Sequence, residues 1–289
     1  MAPGEAQLKE EWSALPALLE NYSVELTARD RRSVADVAAH LQRGVEVFVA
    51  NLPNESADVL VEAVTALREA GLVPVPHIVA RNTRHAHELD ETLGRLVKEA
   101  GVDRVLVLGG DRDDPVGEFT SALQLLETGL IQKHGIRKIF LACYPEGHPR
   151  ISDTVLQEAL KAKLAAAREA SLEVTLVSQF VFDPKLVVEL AKWLRANGIE
   201  APLRVGVAGP ADRGKLIKYA IRCGVGASLR ILKERGELAK NVLAGETPDE
   251  LLGEIAEAQA YDPSLGIDGA HFFTFGDPVK SARWVEGQR

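Results

Sequence analysis

The sequence predicts an α/β protein of the (β/α)8 (TIM) barrel class. Short apolar runs alternate eight times with amphipathic segments of helical period along the 289 residues. The runs are almost wholly apolar, as is typical of parallel strands that helices cover. A doubly wound open sheet would be expected to carry Gly-x-Gly-x-x-Gly after its first strand, where this chain has Glu-Leu-Thr-Ala-Arg at 25–29. A closed barrel is therefore favoured.

The pattern assigns each strand and helix in order. Strands are predicted at 22–26, 45–50, 72–79, 104–108, 138–143, 173–180, 203–208 and 270–275. Helices are predicted at 33–43, 56–70, 84–100, 118–132, 152–170, 184–197, 212–222 and 248–259. A further helix over 228–240 is expected before the eighth unit. Residues 1–20 are interpreted as an N-terminal helical extension and residues 21–289 as a single barrel domain.

Polar residues and glycines mark the predicted ends of these helices. Ser33 and Ser56 are predicted N-caps, Asp183 precedes a proline at the first helical position, and Thr247 with Glu250 forms a capping-box pattern. Glycines just past helix ends stand at 71, 101 and 198. Start and stop patterns therefore agree with the strand and helix periods.

Composition narrows the function classes. The formal charge of -8, with no concentrated basic face, argues against a nucleic-acid partner. No segment reaches the roughly 18 apolar residues that a membrane span needs, and the N-terminus does not resemble a signal peptide. Cys143 and Cys223 have no paired spacing and are expected to be buried free thiols. We expect a cytoplasmic protein.

In a barrel, catalytic groups lie at the carboxyl ends of the strands. Polar or aromatic residues are predicted there at Glu25, Asn51, His77, Asp111, Tyr144, His148, Gln179 and Thr274. None of these ends carries the lysine of a Schiff-base aldolase. Three chemistries remain open: a metal site built from Glu25, His77, Asp111 and His148, a cofactor enzyme, and a phosphosugar isomerase with its phosphate at the loop beginning at Gly206.

Several short motifs also resemble one known family. They are VEL at 24–26, PH at 76–77, GGD at 109–111, YPEGHP at 144–149, SQFVFD at 178–183 and AHFFTF at 270–275. Their order and spacing resemble methylenetetrahydrofolate reductase from about residue 20 to 285. The resemblance implies a (β/α)8 barrel flavoprotein that binds FAD, takes hydride from NADH or NADPH, and reduces 5,10-methylenetetrahydrofolate to 5-methyltetrahydrofolate. It also implies a homo-oligomer that acts in one-carbon metabolism and methionine biosynthesis.

The resemblance implies roles for particular residues. Glu25 matches the general acid at folate N10; a general acid must hold its proton near neutral pH, which burial of a carboxyl favours. Asp111 matches an aspartate that lies beside the flavin and contacts the pterin. The other matches to substrate contacts are Gln179, Tyr219 and Phe273, and those to flavin contacts are Asn51, His77, Tyr144, His148 and Lys163.

The chain departs from the family pattern mainly at flavin positions. Gly109 stands where the family has an arginine, Leu156 stands near a ribityl-binding aspartate, and Gly276 replaces an asparagine. These differences predict a weakly held flavin and leave three alternatives open. The first is hydride transfer directly from nicotinamide to folate. The second is an enzyme that oxidises methyltetrahydrofolate in a demethylation pathway, and the third is a non-catalytic paralogue that binds folate or flavin.

Overall fold

A computed structural model describes residues 12–53, 55–210, 213–223, 225 and 248–289. The strands are β1 Ser23–Thr27, β2 Glu46–Ala50, β3 Val73–Val79, β4 Arg104–Leu108, β5 Lys138–Cys143, β6 Glu173–Ser178, β7 Leu203–Ala208 and β8 Ile267–Phe273. The described helices before β5 are α1 Leu15–Leu19, α2 Arg31–His40, α3 Ala57–Glu69, α4 Ala86–Ala100, α5 Ala122–Glu127 and α6 Leu130–Lys133. Those after β5 are α7 Asp153–Glu169, α8 Pro184–Ala196, α9 Arg213–Cys223, α10 Asp249–Tyr261 and α11 Pro278–Gln288.

The eight strands form a closed parallel barrel in sequence order, which confirms the predicted (β/α)8 class. Parallel pairing is regular between β2 and β3, where Glu46 lies opposite Val73, and β1 pairs with β8, where Ser23 lies opposite His271. No described helix is long and apolar enough to cross a membrane. Because all strands of the barrel are parallel, their carboxyl ends, where the candidate residues were predicted, lie at the same end.

Most element boundaries lie within three residues of the predicted ones. β4, β5 and β7 have the predicted bounds, whereas β8 begins three residues early at Ile267. Asp268 and Gly269 interrupt the apolar run there, and a Cβ on Gly269 would collide with the backbone oxygen of Asn21. The predicted helix 118–132 is two short helices, because Gly129 between them has φ +72°.

Two further differences concern helices near the C-terminus. Helix α11 was not predicted; Asp277 accepts a hydrogen bond from the Lys280 N–H at its start. The predicted helix 228–240 and the predicted cap at Thr247 lie outside the described residues, as does the start of the predicted N-terminal extension. The part of that extension within the described residues contains α1.

The predicted caps are confirmed in part. Asp30, not Ser33, caps α2, and its carboxylate accepts from the Ser33 N–H and hydroxyl at 3.0 and 2.6 Å. Ser56 precedes α3 without a side-chain cap hydrogen bond, whereas Asp183 caps α8 as predicted by accepting from the Lys185 N–H. The glycines expected past helix ends have positive φ, at 71, 101 and 198.

The chain divides into two compact units. The β2–β5 unit contains Glu25–Cys143 and Asp153–Leu176, and the β7–β8 unit contains Met1–Val24, Tyr144–Ser152 and Val177–Arg289. In the β2–β5 unit, Phe48 and Phe140 pack with ring centroids 4.8 Å apart, and Arg104 pairs with Glu46 at 2.5 Å. Apolar packing and ion pairs among strand starts thus support this unit.

The β7–β8 unit has a different core. The fully buried Arg204 donates to Asn21 Oδ1 at 3.1 Å and lies 3.7 Å from Asp268. The buried Ser23 hydroxyl and His271 Nδ1 are hydrogen-bonded at 2.9 Å. These partners reduce the cost of burying polar groups among apolar strands.

Candidate functional site

The predicted acid contacts a histidine in the β2–β5 unit. Glu25 Oε2 lies 3.6 Å from His77 Nε2, and the Glu25 side chain is 24% exposed while that of His77 is 7% exposed. Val24 and Leu26 are buried, as strand alternation requires for residues on the face opposite Glu25. Phe48 meets the imidazole edge-on, with centroids 6.2 Å apart. The structure therefore brings together a partly exposed carboxyl and a buried imidazole.

The positions of these two residues within their strands differ from the prediction. Glu25 and His77 were expected at strand ends, but each lies two residues before the end, which is at Thr27 in β1 and Val79 in β3. The observed bounds of β1 and β3 differ from the predicted runs by only one residue, so both side chains lie within their strands and not in the loops that follow.

Asp111 lies in the loop after β4, where it is exposed. Asp113 and Asp114 are also exposed in this loop. Gly110 has φ +102°, and a Cβ there would lie 2.6 Å from Val79 Cγ1. Among the described residues, no group of three His, Cys, Asp or Glu side chains could hold a metal ion.

Two of the predicted flavin contacts in the β2–β5 unit have unusual environments. Within the described residues, Asn51 Oδ1 is buried and accepts no hydrogen bond. Lys163 on α7 is half-buried, and burial lowers the pKa of its amine. Burial also raises the pKa of the Cys143 thiol to about 12, so this cysteine stays protonated at neutral pH. A buried acceptor and a desolvated cation are groups that a polar ligand would satisfy.

Tyr144 and His148 are brought together in the segment after β5. Their ring centroids are 5.4 Å apart in an edge-to-face arrangement. His148 Nδ1 accepts a hydrogen bond from the Arg150 N–H at 3.2 Å, which leaves Nε2 as the position for the ring proton of a neutral imidazole. The segment therefore presents one aromatic ring and one oriented imidazole.

Two candidate substrate-binding residues of the β7–β8 unit, Tyr219 and Phe273, belong to an aromatic cluster. The ring centroids of Phe273 and Phe275 lie 5.4 and 5.3 Å from that of Phe180. The Tyr219 ring is 4.7 Å from the Phe275 ring, centroid to centroid, and is tilted by 32° to it. Phe180 is fully buried, whereas Tyr219, Phe273 and Phe275 are only partly buried. The cluster thus presents partly exposed ring faces on a buried base.

Gln179 is adjacent to this cluster in sequence. Its Oε1 accepts from the Phe180 N–H at 3.0 Å, and its residue is partly buried. The side-chain NH2 keeps two donor hydrogens in a position fixed by this local hydrogen bond. Gln179 is consequently oriented by the backbone.

Gly206, where the predicted phosphate loop begins, lies within β7, and residues 211 and 212 of that loop lie outside the described residues. A Cβ on Gly206 would collide with the backbone oxygen of Ser178, and one on Gly209 would collide with Ser281 Oγ. The Gly209 N–H donates to Phe273 O at 3.0 Å. Close packing therefore accounts for both glycines without a bound phosphate.

Sequence reasoning missed three residues that shape these groups. Phe180 and Phe275 were not predicted as site residues, although the alternate aromatic positions in SQFVFD and FFTF could have indicated a ring cluster. Arg81 was also missed; it donates three hydrogen bonds to the loop that carries Asp111. Nothing in the local sequence distinguishes this arginine from a surface residue.

Residues 33–225, more than half of the chain, match the family model described as methylenetetrahydrofolate reductase. Two solved structures have a TM-score of 0.49 to this chain. Dihydropteroate synthase from Thermus thermophilus is 14% identical, covering 93% of this chain and 94% of its own. A putative lyase/mutase from Burkholderia cenocepacia is 16% identical, covering 98% of this chain and 85% of its own. At this level of likeness neither structure bears on the function of the chain.

Proposed function

This chain belongs to the methylenetetrahydrofolate reductase family, and we propose that it interconverts 5,10-methylenetetrahydrofolate and 5-methyltetrahydrofolate with NADH or NADPH. Family membership makes it an oxidoreductase of folate metabolism. The observation that carries the specific proposal is the Glu25 carboxyl, which is partly exposed and 3.6 Å from the His77 imidazole. A non-catalytic folate-binding protein would have no use for an acid in this position.

In the proposed reaction, Glu25 donates a proton to folate N10. The bond between N10 and the methylene carbon breaks, and its electron pair stays on N10, so the methylene group becomes an iminium on N5. A hydride then adds to that carbon and gives the N5-methyl product, while the nicotinamide is oxidised. A positioned acid typically contributes a factor of about 10²–10⁴ to such a step.

His77 would support Glu25 during proton transfer. A carboxylate forms when Glu25 gives up its proton, and an imidazole at 3.6 Å is close enough to stabilise that charge when protonated. The packing of His77 against Phe48 limits the motion of the ring. In the reverse direction the same pair would accept the proton from N10.

The remaining candidates bind the flat pterin and nicotinamide rings. Asp111 can accept hydrogen bonds from the pterin amine and amide, and the Gln179 NH2 can donate to a pterin acceptor. Tyr219 and Phe273 have the partly exposed ring faces that stacking requires. These roles are proposed from the chemistry of the side chains.

The side chains at the predicted flavin positions fit a flavin that is held by few charged contacts. Asn51 would donate or accept at the ring through its buried amide, His77, Tyr144 and His148 would contact the ring system, and Lys163 would neutralise a phosphate. A bound flavin would supply a two-electron carrier between nicotinamide and folate. A Cβ on Gly109 would meet no atom within 4 Å, so the place of the family's arginine is open space.

The open space at Gly109 favours one second candidate, direct hydride transfer from nicotinamide to folate. Loss of a cation that contacts the flavin phosphates would weaken FAD binding and would leave the acid at Glu25 unchanged. We also propose that the protein is cytoplasmic and acts as a homo-oligomer in one-carbon metabolism, in either the reducing or the oxidising direction.

The test is an assay of purified protein with and without added FAD. NADH or NADPH oxidation should depend on 5,10-methylenetetrahydrofolate, and chromatography should detect 5-methyltetrahydrofolate in equal amount. Stimulation by FAD would support the flavin-dependent version, and full turnover by protein without flavin absorbance would support direct transfer. Absence of turnover in both directions, with folate still bound, would leave the non-catalytic alternative.

A further inference from the structure

An arginine after β3 is hydrogen-bonded to the loop that carries Asp111. Arg81 lies in the 3-10 turn Ala80–Asn82, immediately after β3. Its Nη1 donates to Arg112 O at 2.8 Å and to Asp113 O at 2.9 Å, and its Nε donates to Thr120 O at 3.1 Å. One guanidinium therefore links both ends of the loop.

The backbone around Arg81 holds the same loop. The Arg81 N–H donates to Gly109 O at 2.9 Å, and Arg81 O accepts from the Val116 N–H at 3.1 Å. Further along, a Cβ on Gly117 would collide with the backbone oxygen of Arg84, so the two segments approach closely there. The loop between Leu108 and Ala122 has no helix or strand of its own, and these contacts replace the hydrogen bonds of regular structure.

Asp111 lies between two of these anchors. The residue two before it, Gly109, is bonded to the Arg81 backbone, and the residue after it, Arg112, is bonded to the Arg81 guanidinium. Hydrogen bonds from a charged donor are shorter and stronger than neutral ones. The planar fork of arginine can direct several N–H groups at separate carbonyls, which a single ammonium cannot do with the same geometry.

We propose that Arg81 is a positioning residue that holds Asp111 in place for the reaction through the backbone of the 109–120 loop. Arg81 does this without contacting substrate. The inference rests on the proposed role of Asp111 in binding the pterin. It adds a specificity-determining element that no carboxylate motif in the sequence indicates.

A matched control exists on the same unit. Arg68 donates from Nε to Ala100 O at 3.0 Å and from Nη2 to Gly101 O at 2.9 Å. It therefore anchors the end of α4 by the same kind of arginine-to-carbonyl contacts, away from the Asp111 loop. Replacing Arg68 removes comparable hydrogen bonds without releasing that loop.

The experiment compares Arg81→Met, Arg81→Lys and Arg68→Met in the full chain. Hydrogen exchange of the amides in 109–120, measured without ligand, should become about tenfold faster in Arg81→Met, in keeping with the loss of hydrogen bonds to a charged group. Arg81→Lys should recover part of the protection, and Arg68→Met should leave this loop unchanged. Equal exchange in Arg81→Met and wild type would overturn the inference.

Steady-state kinetics with an Asp111→Ala background separate this inference from the proposed function. Arg81→Met should raise KM for the folate several-fold in the wild-type background and change it less than about twofold when Asp111 is already alanine. Additive effects in the double variant would show that Arg81 acts by another route. Unchanged kinetics in Asp111→Ala alone would contradict the proposed role of Asp111 and with it the catalytic part of this inference, while the exchange result would still report on the loop.

Discussion

The two compact units carry candidate residues of different chemical character. In the β2–β5 unit they are ionisable: Glu25 beside His77, Asp111 on an exposed loop, and Lys163 with a pKa lowered by burial. In the β7–β8 unit the corresponding feature is a ring cluster on the buried Phe180. The β2–β5 unit thus holds the proposed acid and the desolvated amine, whereas the β7–β8 unit adds an apolar ring surface to the polar side chains of His148 and Gln179.

This difference follows from what each kind of group requires. A proton donor must exchange its proton with solvent or substrate, and the Glu25 side chain is 24% exposed. A stacking surface gains affinity from apolar area and rigidity, and the base of the ring cluster is fully buried. Substitution of Glu25 should therefore change the rate, and substitutions in the ring cluster should change affinity.

The largest effect is expected from Glu25→Gln. The amide cannot protonate N10, so turnover should fall by at least about tenfold and by up to about 10⁴-fold, the usual range for general acid catalysis. Folate binding, measured by fluorescence titration, should change little because the side chain keeps its size and hydrogen-bonding capacity. Stopped-flow measurement of nicotinamide oxidation gives the rate.

The control is Glu46→Gln, which replaces a carboxylate on the neighbouring strand β2. Glu46 pairs with Arg104 and lies at the start of β2, so its loss should lower the melting temperature and leave the kcat of folded protein near that of wild type. Equal turnover in Glu25→Gln and wild type would remove Glu25 as the acid. Equal losses in both variants would indicate a general structural effect.

A smaller effect, on affinity, is expected from Tyr219→Ala. Loss of a stacking ring typically costs about 1–3 kcal/mol, which corresponds to a KM increase of roughly tenfold for the folate or the nicotinamide, with kcat changed less. Tyr219→Phe keeps the ring and should retain most of the affinity. Tyr261→Ala is the matched control, because Tyr261 is a tyrosine of the same unit that is 93% exposed. A drop in kcat without a change in KM would contradict the stacking role.

The next effect concerns flavin affinity and its pH dependence. Burial lowers the pKa of the Lys163 amine, and a phosphate beside it would raise that pKa again. FAD binding should then take up a proton at pH values between the two pKa values, and affinity should fall as the pH rises through that interval. Lys163→Met should bind FAD about tenfold more weakly with a flatter pH profile.

Fluorescence titration of the apo protein with FAD measures this without any turnover. Lys161→Met, on the exposed side of the same helix, is the control and should follow the wild-type profile. Identical titration curves for wild type and Lys163→Met would show that Lys163 does not contact the flavin phosphate.

The sequence predicted much of the barrel and part of the candidate site, for physical reasons. Buried strands such as β4 and β5 are continuous apolar runs, so composition alone gives their bounds, whereas β8 includes Asp268 and Gly269 and was found only in part. Glu25 and His77 were identified through motifs, but their separation of 3.6 Å depends on the pairing of strands distant in sequence. The role of Arg81 depends on backbone carbonyls, which every residue has, so no side-chain pattern could have indicated it.

The smallest effect is expected from removing one helix cap in each unit. Asp30→Ala in the β2–β5 unit and Asp183→Ala in the β7–β8 unit each delete a carboxylate that accepts from a first-turn N–H. Each should lower the free energy of unfolding by about 1 kcal/mol. Both variants should leave kcat unchanged, because neither aspartate was assigned to the substrate or the flavin. Thermal unfolding and steady-state assays measure the two quantities.

The Asp30 cap also has a predicted pH dependence. The Ser33 hydroxyl and N–H hold the pKa of Asp30 below its usual value. Because the folded pKa is the lower one, the stability from this cap is present above the unfolded pKa of about 3.9 and is lost as the pH falls through the folded pKa. Wild type and Asp30→Ala should therefore differ in stability at neutral pH and converge in acid. A constant difference down to the lowest pH would show that the carboxylate charge contributes nothing to the cap, leaving neutral hydrogen bonding as its source.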